Sequence, residues 1–174
     1  MNSALVHETT EEEKRVYEVL EELGIEYQVH YHEALVGADD AEKEGYHQRG
    51  LNLKNLLVRE KKREEHYLVI IKDDSRLDFK RYKELTGWSS KMTFAEDEDL
   101  FKYLGVHRGA CSVFGLINDK DKHVTVVLDN YVTEASMDED INFHPNVNTA
   151  TVSIKVKDFY KFLDWTGNRV IREM

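Results

Sequence analysis

Two short apolar runs, Asn55-Leu-Leu-Val-Arg-Glu60 and His66-Tyr-Leu-Val-Ile-Ile-Lys72, are separated by a charged stretch over residues 61–65. Apolar runs of this length, rich in β-branched residues and joined by a solvated segment, predict a β-hairpin. A second hairpin is predicted from residues 113–117 and 124–129, which flank Asn118-Asp-Lys-Asp-Lys122. Antiparallel pairing is therefore expected to dominate the sheet.

Helical patterns surround these strands. Thr10-Glu-Glu-Glu13 is typical of a capping box, and Gly24 is a suitable end for the helix that it opens. Further helices are predicted over 38–44, 78–85, 96–104 and 157–166, and short strands over 26–30 and 149–154. Hairpins interspersed with helices predict an α+β fold with a central mixed, mostly antiparallel, partly barrel-like sheet flanked by helices.

Length and composition limit the class of protein. A chain of 174 residues without a linker-like segment predicts a single domain over 1–174. No apolar run approaches the roughly 20 residues that span a bilayer, and residues 1–15 are too acidic for a signal or transit peptide. Cys111 is the only cysteine, which excludes an internal disulfide. A cytoplasmic protein without a membrane partner is expected.

The charge is distributed unevenly. The net charge is −10, yet residues 43–63 carry seven bases against two acids. Lys61, Lys62 and Arg63 are the densest part of this basic segment. Such a patch either contacts a polyanion such as tRNA or is a solvated turn, and charge alone does not decide between them.

Several chemistries lack their motifs. The chain has no glycine-rich phosphate loop, no paired-cysteine metal site and no G-x-S-x-G elbow. His30-x-His32 is either half of a metal site or a pair of ordinary histidines, and the latter is expected. Cys111, four residues after His107, is either a nucleophile or a small buried side chain. Neither a metal nor another cofactor is predicted.

Four stretches carry a family resemblance. They are Leu53-Lys-Asn-Leu-Leu57, Tyr103-Leu-Gly-Val106, Phe114-Gly-Leu-Ile-Asn-Asp119 and, the most specific, Asn142-Phe-His-Pro-Asn-Val-Asn-Thr-Ala-Thr151. Through them the chain resembles the YbaK / prolyl-tRNA synthetase-associated editing-domain family over about residues 17–173, and it is similar to the free-standing PrdX / ProXp-ala branch of alanyl-tRNA(Pro) deacylases.

The resemblance implies a set of site residues. Lys54 and His144 correspond to the principal functional lysine and the histidine of the pocket, and Asn55 lies at the same site. A family loop of the form G-x-x-x-P shapes the pocket with its backbone, and here valine stands in place of the proline. The implied substrate-binding residues of this loop are Gly109, Ala110, Cys111, Ser112 and Val113.

The implied function is hydrolysis of the ester in alanyl-tRNA(Pro). A positioned water, assisted by a hydroxyl of the tRNA, would attack the ester while Lys54 contacts the terminal phosphate or the ester oxygens. Size exclusion would reject the prolyl group. Proline tRNA and prolyl-tRNA synthetase are the implied partners. A deacylase for cysteinyl- or seryl-tRNA and a catalytically silent binding module for RNA or a synthetase remain alternatives.

Overall fold

A computed structural model describes residues 8–34, 49–62, 64–88 and 92–173. The helix predicted over 38–44 and the patch residue Arg63 lie outside the described residues.

The described strands form two sheets. A three-stranded antiparallel sheet has the order β1-β7-β6, and a five-stranded sheet has the order β4-β2-β3-β5-β8. In the second sheet β2 pairs antiparallel with β3 and β4, whereas β5 pairs parallel with β3 and β8. The strands are β1 Gln28–Tyr31, β2 Leu53–Glu60, β3 Glu65–Lys72, β4 Met92–Phe94, β5 Val124–Leu128, β6 Asp140–Phe143, β7 Ala150–Lys155 and β8 Val170–Arg172.

This architecture confirms the α+β class and the mostly antiparallel pairing. The first predicted hairpin is β2–β3, in register from Leu53 opposite Lys72 to Glu60 opposite Glu65. The strands form two separate sheets instead of one central sheet, and those of the described part close no barrel.

The helices mostly begin and end where local signals predict. In α1, Thr10 accepts a hydrogen bond from the Glu13 N–H and the Glu13 carboxylate accepts one from the Thr10 N–H, which is the predicted capping box. Gly87 and Gly167 end α2 and α5 with positive φ. The helices are α1 Glu11–Glu22, α2 Phe79–Thr86, α3 Asp97–Asp99 with the π-helical turn Leu100–Leu104 directly after it, α4 Asn130–Thr133 and α5 Val156–Thr166.

The second predicted hairpin is wrong. Val113–Asn118 is a 3₁₀ helix, capped by the Ser112 hydroxyl, which accepts a hydrogen bond from the Phe114 N–H. Gly115 packs so closely that an added Cβ would lie 2.8 Å from the Leu104 side chain. The second run, β5, pairs in parallel with β3. A short apolar run has no periodicity that separates a strand from a buried helical turn, and its partner is not visible locally.

Apolar side chains cover both faces of the five-stranded sheet. Leu57, Leu68 and Val126 belong to the larger cluster, to which α1, α5 and the 3₁₀ helix contribute. Val58 and Val69 face the smaller cluster, to which α2 contributes Tyr82. None of the described helices has the length and apolar character that crossing a membrane requires.

The two sheets are joined just before β2. Leu51 forms a parallel bridge with Ile141 of β6; its N–H donates to the Asp140 carbonyl at 2.8 Å, and its carbonyl accepts from the Asn142 N–H at 3.1 Å. Gly50 has φ +94° and lies against the Asp140 backbone. Only glycine permits that approach, so this residue sets the spacing between the sheets.

Replacing Gly50 by alanine should therefore be far more damaging than the same change at Gly24. A Cβ at Gly50 would lie 2.2 Å from the Asp140 carbonyl oxygen, whereas one at Gly24, which also has positive φ, meets nothing within 4 Å. We expect a loss of unfolding free energy above about 3 kcal/mol for Gly50→Ala and about 1–2 kcal/mol for Gly24→Ala. Denaturant unfolding measures both, and equal losses would contradict the close approach.

Candidate active site

The parallel bridge between Leu51 and Ile141, the junction of the two sheets, aligns the first residues of β2 with the residues that follow β6. The side-chain amide of Asn142 donates to the carbonyls of Arg49 and Leu51, each at 3.0 Å, which reinforces the bridge. Lys54 and His144 each lie three residues beyond the paired Leu51 and Ile141. Because the bridge is parallel, both residues emerge at the same end of the junction, about 10 Å beyond it.

Lys54 has no charge partner among the described residues. The residue is half-buried in β2, and no described hydrogen bond or ion pair involves its ammonium. By strand alternation it lies on the sheet face of Leu56, opposite to that of Asn55. A half-buried cation without a neighbouring carboxylate is available for an anionic ligand such as phosphate.

Asn55 anchors the loop of residues 109–113. Its Oδ1 accepts a hydrogen bond from the Val113 N–H at 3.0 Å. Cys111 of the same loop contacts the Leu57 backbone, whereas β4 pairs further along β2, from Val58 onwards. The loop therefore lies along the early part of β2, and the N–H that a proline would lack is the one that binds Asn55.

The loop retains free backbone donors. The Ala110 N–H donates to the His107 carbonyl at 3.1 Å, and the Val113 N–H is used by Asn55. Within the described part of the chain, the N–H groups of Gly109, Cys111 and Ser112 donate no hydrogen bond. These three are the candidates for contacts to substrate. The Ser112 hydroxyl is buried in its capping contact, so it is unsuited to attack a substrate.

Cys111 is a poor nucleophile in this environment. Burial raises the pKa of its thiol to about 12, and the contact with the Leu57 backbone counters this only in part. The reactive thiolate is therefore scarce at neutral pH. The ring of His107, the partner considered from the sequence, stacks on Phe101 with centroids 5.7 Å apart.

His144 presents an unprotonated nitrogen. Its Nδ1 donates to the Ala150 carbonyl at 3.0 Å, so in the neutral ring Nε2 carries the lone pair. Burial lowers the pKa of His144 below its ordinary value; the bond to Ala150 opposes that shift, and His32 adds to it. The ring is thus neutral near pH 7 and able to accept a proton.

His32 has a structural role. It is buried; its Nδ1 donates to the Glu33 carbonyl at 2.8 Å and its Nε2 accepts from the Thr151 hydroxyl at 2.9 Å. Its ring lies 6.2 Å from that of His144 and 6.3 Å from that of His30. With both nitrogens engaged it offers no lone pair to a metal, and the described residues contain no group of three or more suitable ligands.

Asn146 is a candidate site residue that the sequence did not reveal. Its amide nitrogen donates to the Phe114 carbonyl at 3.4 Å, which ties the loop after His144 to the 3₁₀ helix after Val113. The residue has φ 62° and is 5% exposed, and its Oδ1 has no hydrogen-bond partner in the described part of the molecule. Asparagine adopts a positive φ more readily than most residues do, and this tolerance is the only feature of the local sequence that could have pointed to this position.

The basic patch lies away from these groups. Lys61 and Lys62 are exposed in the turn after β2. Lys54 stands seven residues earlier in the chain, which corresponds to about 23 Å along a strand. The structure therefore brings together Asn55 and the 109–113 loop, and it ties the loop after His144 to the 3₁₀ helix that follows Val113. Lys54 adjoins Asn55 in β2 but lies on the opposite sheet face, and the lysine turn lies at the far end of β2.

A separate cavity of about 510 Å³ opens beside Gly50 and Leu51. Tyr131, Glu134 and Glu139 form part of its wall. The two glutamates give the wall a negative charge, which disfavours a phosphate-bearing ligand. Lys54 and the two loops therefore remain the candidate site for such a ligand.

A double-mutant cycle tests the anchor. Val113→Pro removes the N–H at the first 3₁₀ position, where Ser112 is extended and proline is tolerated. Asn55→Ala removes the acceptor. Each substitution alone should lower the unfolding free energy by about 1–3 kcal/mol. The double variant should lose at least about 1 kcal/mol less than the sum of the two single losses. Val113→Ala keeps the N–H, so the loss of unfolding free energy that it causes should simply add to the loss caused by Asn55→Ala. Equal coupling energies in the Val113→Pro and Val113→Ala cycles would refute the hydrogen bond between Asn55 and Val113.

Acid should destabilise the fold through His144. Its folded-state pKa lies below the unfolded value of about 6.5, so below that pH the unfolded chain binds more protons and the free energy of unfolding falls. The slope from this group is at most about 1.4 kcal/mol per pH unit. Urea unfolding between pH 8 and 5 should give a flatter profile for His144→Gln than for the wild type. Parallel profiles would show that the imidazole is not held neutral.

Comparison with known proteins identifies the family. Residues 32–162 match the family model described as Aminoacyl-tRNA editing domain. The chain is 35% identical over 149 residues to the prolyl-tRNA editing protein ProX of Acetoanaerobium sticklandii, a match that covers 86% of this chain and 88% of that protein. It is 31% identical over 123 residues to prolyl-tRNA synthetase associated domain-containing protein 1 of Mus musculus, covering 70% and 72% of the two chains.

A solved structure shares the fold. A candidate trans-editing enzyme for prolyl tRNA synthetase superposes with a TM-score of 0.69 at 19% identity, covering 94% of this chain and 96% of that one. This likeness concerns the fold alone. The family match spans well over half of the sequence and agrees with the motif resemblance. The chain therefore belongs to the aminoacyl-tRNA editing domain family and is an aminoacyl-tRNA deacylase.

Proposed function

We propose that this protein edits mischarged tRNA(Pro) in trans and that alanyl-tRNA(Pro) is its substrate. The observation that supports the proposal is that Asn55, next to Lys54 in β2, binds a loop whose N–H groups at Gly109, Cys111 and Ser112 donate no described hydrogen bond. Asn146 ties the segment of the neutral His144 to the 3₁₀ helix that follows this loop. The similarity to a protein named for prolyl-tRNA editing supports the choice of tRNA.

Each group has a role in ester hydrolysis. Water, oriented by the neighbouring ribose hydroxyl, attacks the ester carbonyl carbon and gives a proton to Nε2 of His144. The N–H groups of Cys111 and Ser112 donate to the oxygen that becomes negative. The bond to the ribose oxygen then breaks, and that oxygen takes the proton. Lys54 holds the terminal phosphate, which places the ester against the loop.

Rejection of proline requires a wall that does not move. The 109–113 loop has a hydrogen bond near each end: the Val113 N–H donates to Asn55, and the Ala110 N–H donates to the His107 carbonyl. A fixed wall admits a methyl group and excludes a pyrrolidine ring. The synthetase needs this second sieve because removing methylenes changes its binding by only about 1–3 kcal/mol.

The partners follow from the same proposal. A free-standing editing enzyme meets its substrate after the synthetase has released or presented it, so we place prolyl-tRNA synthetase and tRNA(Pro) beside this protein in the cytoplasm. The relative in Mus musculus is named for its association with that synthetase. The turn bearing Lys61 and Lys62, with Arg63, would contact the tRNA away from the ester.

A panel of aminoacyl-tRNAs tests the substrate. The purified protein should release alanine from alanyl-tRNA(Pro) at least about a hundredfold faster than proline from prolyl-tRNA(Pro), since size exclusion acts on the whole ring. Loss of radiolabelled amino acid from each tRNA gives the rates. Hydrolysis confined to cysteinyl- or seryl-tRNA would replace the substrate, and a protein that binds tRNA without hydrolysing any ester would be the silent module.

Lys54→Ala tests the site itself. We expect deacylation to fall by about a hundredfold or more, because without the phosphate contact the ester is no longer held against the loop, while the unfolding free energy changes by under about 0.5 kcal/mol. Lys54→Arg should recover only part of the rate, because a planar guanidinium does not replace a compact ammonium.

Lys155→Ala is the matched control for Lys54→Ala. Lys155 is also a strand lysine, but its ammonium is paired with Asp140 at 2.8 Å. Its removal should leave deacylation unchanged. Near-normal deacylation by Lys54→Ala would show that the active site lies elsewhere.

A further inference from the structure

Two stacked aromatic rings are exposed at the entrance to the 109–113 loop. Phe101 is 62% exposed, the largest value among the large apolar side chains of the described residues. The imidazole of His107, also exposed, lies beside it with ring centroids 5.7 Å apart and an interplanar angle of 23°. Exposed aromatic rings offer flat faces on which another ring can stack.

The backbone that carries these rings is well fixed. Leu100 and Leu104, at either end of the π-helical turn, are buried, and Val106 after Gly105 is buried as well. Phe101 and His107 therefore project outward from a segment held by three core contacts. Because these residues are already ordered, little conformational entropy is lost when a ligand binds to them.

The rings are continuous with the candidate active site. His107 stands two residues before Gly109, and its carbonyl accepts the hydrogen bond that closes the turn into the loop, from the Ala110 N–H. A ligand whose end lies against the loop therefore extends towards these rings.

We propose that Phe101 and His107 form a stacking platform for an unpaired base at the 3′ end of the tRNA. This inference rests on the proposed function, because the ester to be hydrolysed is attached to a single-stranded end. Unpaired bases expose both faces of their rings, and proteins bind such bases by stacking them on aromatic side chains.

The surrounding charge favours contact with a base over contact with phosphates. Residues 96–108 contain four acids and two bases. One of these bases, Arg108, is already paired with Asp97 at 2.7 Å. A surface with this balance attracts no polyanion, so a ligand that binds here does so through its uncharged ring faces. Binding at the platform should accordingly depend little on salt.

The test measures binding of uncharged tRNA(Pro) to Phe101→Ala, Phe101→Trp and Phe94→Ala. Phe94 is the matched control, since it is 53% exposed but lies on β4 against Phe79. We expect Phe101→Ala to weaken binding about tenfold, a typical effect of losing one stacked base. Phe101→Trp should restore it, and Phe94→Ala should leave it unchanged. The tenfold loss should be the same at low and high salt and should vanish for a tRNA lacking its unpaired 3′ nucleotides.

Other outcomes overturn the platform. If Phe101→Ala binds tRNA(Pro) as tightly as the wild type does, the platform is wrong. A lower melting temperature of that variant would then mean that the rings only brace the loop. An equal loss on intact and truncated tRNA would place the contact on another part of the tRNA. Retained tRNA binding with lost binding of prolyl-tRNA synthetase would make the rings a protein-docking surface.

The platform and the proposed function fail separately. The assay uses tRNA without an amino acid, so it does not depend on which ester is hydrolysed. If the panel shows no deacylation while Phe101→Ala loses affinity only for the intact 3′ end, the proposed function is wrong and the platform stands.

Discussion

The backbone hydrogen bonds of Leu51 join two sheets that have no other strand pairing in the described residues. One sheet carries the lysine at the start of β2 and the other carries the histidine after β6, so the geometry of the site depends on this short bridge. Gly50 and Asn142 strengthen it by different means, one by having no side chain and the other by donating two hydrogen bonds. A shift of one residue at the bridge would move the start of β2 out of register with the residues after β6.

Local signals predicted the elements whose causes are local. The capping box of α1, the β2–β3 hairpin and the glycines after α2 and α5 depend on residues within a few positions of each other, and all are present. The error at Val113–Asn118 has a tertiary cause. Gly115 packs against Leu104, and the neighbouring run β5 pairs with β3, more than fifty residues earlier in the chain. No local pattern contains that information.

The candidate site also combines residues that the sequence indicated and contacts that only the folded chain reveals. Lys54, His144 and the 109–113 loop were identified from motif resemblance, and their shared role stays a prediction. The bond between Asn55 and Val113 could not be predicted, because the two residues are distant in sequence and the loop departs from its family pattern at that position. The unpartnered oxygen of Asn146 was equally hidden, since burial without a partner is a property of the packed chain.

An acidic body with one small basic turn has a kinetic consequence. An editing enzyme must inspect many correctly charged tRNAs for every faulty one, so a long residence time on each would slow the whole process. The net charge of −10 weakens general attraction to RNA, and the proposed contact with the lysines of the turn after β2 would be brief and local. At a micromolar dissociation constant and an association rate of about 10⁷ M⁻¹s⁻¹, a tRNA would leave in roughly 0.1 s. Correctly charged tRNAs would thus return quickly to translation. Only on mischarged tRNAs would hydrolysis have to be faster than dissociation.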